Sequence, residues 1–331
     1  MTDPAAAVEY VGIDVGGTKV AAAPLVDGHL GEARIEPTDT GDAEALVEQI
    51  VRLVGEVRTP GARAVGIGVP SVVEFATGRI RSSVNIPLAD LPLRALLSDR
   101  VGLPVYVEND ASCAALAEAY DGGRLVCPHL VMLAVGTGVG GGLVLNGRLY
   151  RGATGAAAEV GHTVVGLDLS QGAPDPGPRA PWPGSLEALA SGRALDRLGQ
   201  AAAEGAPGSA LGRILVRDGA ITGHDVVEAA QGGDAEARDI LRILGERIGI
   251  GIANAINTFD PGEVVIGGGV STAGDLIMEP ARRVAAAYTL PGVGTACVIR
   301  LARHGVHAGL YGAALNAAQE DRIGPAVRPA S

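Results

Sequence analysis

V-G-I-D-V-G-G-T at residues 11–18 and L-A-V-G-T-G-V-G-G-G at 133–142 are two glycine-rich bends, each directly after a short apolar strand. Between them in the chain stands the pair Asn109 and Asp110, at the end of the run P-V-Y-V-E-N-D. Glycine lets a backbone approach anionic oxygens closely and adopt positive φ at no steric cost, so exposed N–H groups can point at a phosphate. One such bend is commonly only a hairpin turn. Two of similar form, with an acid between them, point to a nucleotide phosphate cradle and a carboxylate that works beside it.

The 331 residues exceed what one core usually covers and predict two domains with a cleft between them. Net charge −11, from 26 basic and 37 acidic residues, argues against nucleic acid or an anionic membrane as partner. The 50 glycines and 20 prolines, about a fifth of the chain, predict a folded protein with many tight turns rather than a low-complexity one. Cys113, Cys127 and Cys297 are too widely spaced for a CxxC motif or a disulfide framework, which suits a reducing, cytoplasmic setting. No basic region followed by an apolar stretch opens the chain, and no apolar run is long enough to span a bilayer. A soluble protein without a cleaved signal is expected.

Residues 8–14, 19–26 and 31–36 read as consecutive strands, with D-G-H at 27–29 as a hairpin turn. Leu46, Val47, Ile50, Val51 and Val54 recur at helical spacing within 42–57, before Thr59, Pro60 and Gly61. Strands at 64–69 and 104–107, with a hairpin near Thr77 and Gly78, complete a mixed sheet that leaves Asn109 and Asp110 at its carboxyl edge. The second half repeats the plan with strands at 129–135 and 142–146, a turn at 146–148, and a Gly/Pro-rich stretch at 166–184. A long helix is expected at 234–257, then a turn at 260–262, a strand at 263–266 and the triplet Gly267, Gly268, Gly269. Thr222 and Asp225 fit a capping box. Residues 1–112 are expected to form a smaller N-terminal domain, to which a final helix at about 309–318 returns. Residues 113–308 form a larger one, and 320–331 a disordered tail.

Six stretches in order, V-G-I-D-V-G-G-T-K, V-E-N-D, G-T-G-V-G-G-G, A-E-V-G-H at 158–162, S-L-E at 185–187 and V-V-I-G-G-G-V-S at 264–271, resemble the ROK sugar kinases over roughly residues 10–316. The resemblance implies an α/β, duplicated actin-like/hexokinase-like ATPase fold and an ATP-dependent kinase, acting as a homodimer, that phosphorylates a hydroxyl of a hexose, by default the 6-OH of glucose. It makes Asp110 the general base and Asn109 a sugar ligand. Glu159, His162 and Glu187 would bind sugar hydroxyls, with Asn85 a further candidate. By the same resemblance Asp14 would lie near a magnesium ion, reached through water. Gly16, Gly17, Thr18 and Lys19 of the first bend, Thr137, Gly138 and Gly140 of the second, and Gly267, Gly268 and Gly269 against the adenosine complete the nucleotide site.

The same chemistry follows from the residues. Phosphoryl transfer needs charge neutralisation, in-line positioning and an acceptor for the hydroxyl proton, with little covalent work by the protein. Loop amides and a magnesium ion supply the first, and Asp110, one position past a strand end, supplies the last. Polyol recognition suits carboxylates, amides and imidazole, because a substrate that lacks a hydroxyl leaves their buried groups unsatisfied. Each residue also has a plainer reading. Asp110 is equally a candidate N-cap for the apolar run Ala111 to Leu116, His162 a core or surface histidine, Glu187 a first-turn helix acid, and Gly267 to Gly269 the mere start of a helix at 273–287.

Two departures from the family stand out. Residues 163–186 contain no cysteine where many members carry a cysteine-rich zinc motif, so no structural zinc is expected, and Trp182, prolines and packing must hold the loop. Ser71 follows V-P where the family usually has glycine. The altered loop leaves room for a second acceptor class, a cyclitol or amino sugar. A sugar-responsive regulator is the alternative of another kind. Such members carry an N-terminal DNA-binding helix-turn-helix, for which the nine residues before Tyr10 are too few.

Overall fold

Val11, Ile13 and Val15 alternate with no exposed polar partner: all three are fully buried, and so is most of the strand that carries them, Glu9–Val15. A strand covered on both faces belongs to a sheet with helices on either side. The computed structural model describes residues 9–83 and 85–323, and its chain divides into two units, 1–129 with 142–158 and 303–331, and 130–141 with 159–302.

In the first unit Glu9–Val15 pairs antiparallel with Lys19–Val26 and parallel with Ala62–Val69, which pairs parallel with Val105–Asn109. The strand expected at 31–36 is two short pieces, His29–Leu30 and Arg34–Pro37, both on Lys19–Val26. Gly31 breaks the run, its N–H donating to the Pro24 carbonyl at 2.8 Å. Helix Ala43–Val57, capped by Asp42 through the Ala45 N–H, buries Leu46, Val47, Ile50, Leu53 and Val54 in one core with Val11, Ile13 and Ile67. Helix Leu93–Val101 was not expected from the sequence; its Leu93, Leu97 and Val101 are buried four residues apart behind Pro92.

The C-terminal helix Ala308–Ile323 packs on Glu9–Val15, on Ala62–Val69 and on helix Asp110–Glu118. Its approach is so close that a Cβ added to Gly66 would lie 1.8 Å from the Ala313 carbonyl oxygen. A boundary at 112 would cut helix Asp110–Glu118, whose Cys113 and Leu116 are fully buried, so the whole helix stays with the first unit. The C-terminal helix continues to Ile323, into the stretch expected as a disordered tail, and Glu320 meets Arg148 and Arg151; the rest of that tail, 324–331, lies outside the described residues.

The second sheet has the order Arg148–Leu149, Val139–Leu145, Leu130–Val135, Glu263–Gly267, Val298–Leu301. Its last two strands run parallel to Leu130–Val135 and to each other, as Ala62–Val69 and Val105–Asn109 do in the first. The same winding twice is a duplication. Helix Ala235–Phe259 starts at the Asp234 cap, and the Thr222–Asp225 capping box is formed on both sides. Helices Gly192–Gly205 and Ala210–Asp218 fill a stretch for which the sequence suggested no element. No helix among the described residues is long and apolar enough to cross a membrane.

The packing separates two glycines. Gly66→Ala should cost at least about 3 kcal/mol, because backbone must move to admit the methyl group. Gly55→Ala, on the exposed side of helix Ala43–Val57 with nothing within 4 Å of its Cβ position, should instead stabilise by about 0.5–1 kcal/mol. Urea denaturation of the two variants checks both signs.

Candidate active site

The strand Val105–Asn109 turns directly into helix Asp110–Glu118, and side chains fix the turn. Asn109 is the N-cap: its Oδ1 accepts the Ser112 N–H at 3.1 Å and its Nδ2 donates to the Ser71 carbonyl at 3.4 Å. Asp110 is therefore not the cap but the first helical residue, and its Oδ1 accepts the Ala111 N–H at 2.8 Å. Behind them Glu108, 2% exposed, accepts the Asn109 N–H at 3.0 Å on one oxygen and the Arg151 Nε at 2.6 Å on the other. Arg151 also donates to Asn316 Oδ1 at 2.7 Å and lies over the Phe75 ring, 3.5 Å from its centre. The sequence reading assigns no role to Glu108 or Arg151. A signal was present, since a glutamate inside an apolar strand must find a cation once buried.

Asp14 sits near the end of Glu9–Val15, in register with Gly68 of the neighbouring strand. Its carboxylate packs against Gly309, in the first turn of the C-terminal helix, so closely that a Cβ there would lie 2.8 Å from it. Burial first, and the charge of Asp110 second, push the Asp14 carboxyl up from 3.8 to about 6, against the pull of Lys19. Burial raises Asp110 as well, opposed by the backbone N–H groups of Ala111 and of Asp110 itself. Two half-buried carboxylates thus share one region. In the first bend the Gly16 N–H donates to the Lys19 carbonyl at 2.8 Å, so it closes the turn rather than facing a ligand. Gly17 is pressed against Asn85, whose Cβ would be 3.2 Å from a Cβ at 17, while the side chains of Thr18 and Lys19 are exposed. The structure therefore brings Asp14, the first bend, Asn85, Asn109 and Asp110 together at one sheet edge.

In the second unit the bend at Gly136 and Thr137 and the residues Gly269 and Thr272 line a cavity of about 450 Å³. The start of helix Gly192–Gly205 closes it, the Gly192 N–H donating to the Gly136 carbonyl at 2.7 Å. Arg193, Asp196, Thr222 and His224 also face this cavity and were not picked out from the sequence. Of the triplet, Gly269 alone borders it. Gly267 and Gly268 are pressed on the strand Leu130–Val135, where added Cβ atoms would meet the Met132 methyl group at 2.6 Å and the Val135 carbonyl at 2.4 Å. Gly140 belongs to the strand Val139–Leu145 rather than to the bend.

Glu187, in the first turn of helix Leu186–Ala190, accepts the Val139 N–H at 2.8 Å and stands where a Cβ on Gly138 would come within 2.5 Å of its Oε2. It clamps the second bend. The short turn Val160–His162 packs on that helix and carries Glu159 and His162, both exposed, with Oε2 and Nε2 3.9 Å apart. Between these pieces the cysteine-free loop is closed at its neck by main-chain bonds: Val165 and Gly166 donate to the Gly184 carbonyl at 2.8 and 3.1 Å, and Leu186 to the Thr163 carbonyl at 2.9 Å. Trp182 is half-buried and its carbonyl accepts the Ser185 N–H at 3.0 Å.

The raised Asp14 fixes a sign. An acid whose folded-state value lies above its unfolded one contributes stability that is complete at low pH and lost as pH rises from about 4 through about 6. Asp14→Asn should therefore leave stability unchanged near pH 4 and raise it by up to about 3 kcal/mol at pH 7 and above in the ligand-free protein. Melting temperatures across pH 4–8 test this, and equal shifts at all pH values would contradict it.

Comparison with known proteins agrees with this architecture. The family model described as ROK family matches residues 10–320. A glucokinase from Halalkalibacterium halodurans is 35% identical over 311 residues, covering 92% of this chain and 93% of its own. An N-acetyl-D-glucosamine kinase from Vibrio parahaemolyticus is 33% identical over 314 residues, covering 92% and 98%. The crystal structure of a ROK family glucokinase from Streptomyces griseus, in complex with glucose and AMPPNP, superposes with a TM-score of 0.75 at 34% identity, covering 94% of this chain and all of that one. The duplicated sheets are those of the actin-like, hexokinase-like ATPase fold. Matched over nearly its whole length by the family model and by full-length relatives, this chain belongs to the ROK family.

Proposed function

We propose that the chain is an ATP-dependent sugar kinase that transfers the γ-phosphoryl group to a hydroxyl of a hexose, by default the 6-OH of glucose. One observation carries the residue assignment: Asp110 stands first in a helix at the carboxyl end of a strand paired parallel to its neighbour, its carboxyl raised by burial and held by an amide rather than a cation. Such a carboxylate is a better proton acceptor than a solvated one. In the proposed step the acceptor oxygen forms its bond to phosphorus, its proton passes to Asp110, and the bond to ADP breaks. Asn109 keeps one amide hydrogen beyond its bond to Ser71 for orienting the acceptor. Glu187, with one oxygen on Val139, has the other for a sugar hydroxyl, and Glu159 and His162 offer exposed groups on the adjoining turn. Asn85 borders the first bend.

The residues suit the cofactor. The 450 Å³ cavity, walled by glycine main chain, Thr137 and Gly269, fits a nucleoside. Asp14, in no ion pair among the described residues and pushed to about 6, is a carboxylate that a divalent cation would relieve, directly or through water. When bound, magnesium supplies charge neutralisation for the phosphates. Lys19, close enough to Asp14 to pull its titration down, adds positive charge in the same place.

An amino-sugar acceptor is the second reading, favoured by the N-acetyl-D-glucosamine kinase among the relatives. Turnover with Mg-ATP over a panel of glucose, mannose, N-acetylglucosamine, N-acetylmannosamine and myo-inositol decides between the two. Asp110→Asn should lower kcat by about 10²- to 10⁴-fold with ATP affinity nearly intact; turnover like that of the wild type removes Asp110 from the role of base. We also propose that the loop 163–186 works without zinc, on the support of its cysteine-free sequence and main-chain neck. Activity should survive a zinc-selective chelator in excess magnesium, and stoichiometric zinc in a metal assay would refute the idea.

A further inference from the structure

Among the described residues the 450 Å³ cavity is bordered by a single carboxylate, Asp196. It stands in helix Gly192–Gly205, whose start is tied to the second bend: the Gly192 N–H donates to the Gly136 carbonyl and the Arg193 N–H to the Thr137 carbonyl, at 2.7 and 3.4 Å. Asp196 lies one turn further on, about 4.5 Å along the helix axis from Arg193. Counted outward from the bend, this is the order in which a nucleotide presents its phosphates and then its ribose.

The protein uses only half of this carboxylate. Oδ1 accepts the Gly223 N–H at the start of helix Gly223–Gln231. Asp196 is half-buried in the cavity wall; its Oδ2 has no partner among the described residues and keeps open surface. The hydroxyls beside it are already engaged, that of Thr222 donating to Asp225 Oδ2 at 2.6 Å and that of Thr272 to the Gly269 carbonyl at 2.8 Å. Arg193 can only donate.

We infer that Asp196 receives the ribose 2′- and 3′-hydroxyls of the nucleotide; the inference rests on the kinase reading above and adds a determinant of nucleotide choice to it. A carboxylate only accepts, and one oxygen has lone pairs for two hydrogens, which a vicinal diol supplies. Such charge-assisted bonds are roughly twice as strong as neutral ones. Phosphate oxygens are the wrong partner for this group, since like charges repel. The amino group of adenine, the other donor on the nucleoside, lies at the end remote from the phosphates and so from the bend.

The test measures dissociation constants by calorimetry for the magnesium complexes of ADP, 2′-deoxy-ADP, 3′-deoxy-ADP and IDP, in the wild type, Asp196→Asn and Asp196→Ala. Asparagine keeps an oxygen for Gly223 and puts a donor where the free oxygen stood. The wild type should bind at least one deoxy nucleotide about 10- to 100-fold more weakly than ADP. In both variants ADP should weaken towards that level, and its advantage over the deoxy form shrink to within about threefold. Equal binding of ADP and both deoxy forms by the wild type, or an undiminished advantage in the variants, overturns the inference. A lower melting temperature with that advantage preserved does so too, leaving Asp196 as an anchor for Gly223 alone. So does a variant that narrows the difference between ADP and IDP instead, which would put Asp196 on the amino group of the base. A wild type with the expected ratios that releases no ADP with any sugar sinks the kinase reading alone, whereas one that binds no nucleotide sinks both.

Discussion

Arg151 and Glu108 meet at 2.6 Å where neither charge could stand alone. Removing one partner of such a buried pair commonly costs about 3–5 kcal/mol, because the other is left without compensation. Glu108 turns this bond into geometry. One oxygen is fixed by the guanidinium, the other receives the Asn109 N–H, and Asn109 in turn caps the helix that Asp110 begins. The place of the candidate base is thus set by an ion pair two residues behind it. The segment 142–158, which carries Arg151, belongs by its contacts to the first unit although the chain has already visited the second. Its guanidinium is stacked on Phe75 and bonded to Asn316, so three separate parts of the first unit converge on one side chain.

What could be read from the sequence was what has a local cause. The bends at 16–17 and 136–138, the Asp42-capped helix and the Thr222–Asp225 box follow from glycine, capping chemistry and apolar spacing over a few residues. The order of motifs was enough to place the family. The helix Leu93–Val101 escaped because nine residues with three buried leucine and valine positions make a weak periodic signal. The roles within the bends escaped for a different reason. Nothing in G-G-T-K says that the Gly16 amide closes its own turn, and nothing in S-L-E says that Glu187 reaches back to Val139. Those bonds join residues distant in sequence or depend on which way one amide points. The divide between the units was hidden similarly, since helix Asp110–Glu118 is held by a helix that begins almost two hundred residues later.

Asp14 and Asp110 show where the protein gives up stability. Both carboxyls are raised by burial, and Asp14 additionally by Asp110. Local rules of this kind are broken where a ligand is to be received, and the rest of the fold must carry the deficit. The close seat of Asp14 against Gly309 keeps this strain in place, since the carboxylate has no room to turn away on that side.

The neck of the loop 163–186 is sealed by main-chain carbonyls and N–H groups, which every residue type except proline possesses, apart from Gly184, whose φ of +77° and contact with the Gly166 carbonyl demand glycine. Composition farther out is consequently released from any duty of holding the ends together. Mutations can accumulate between Leu167 and Pro183, and insertions can lengthen that excursion, while Glu187 keeps its grip on Val139. None of the bonds at the neck requires a thiolate, so a sequence without cysteine closes it as well as any other.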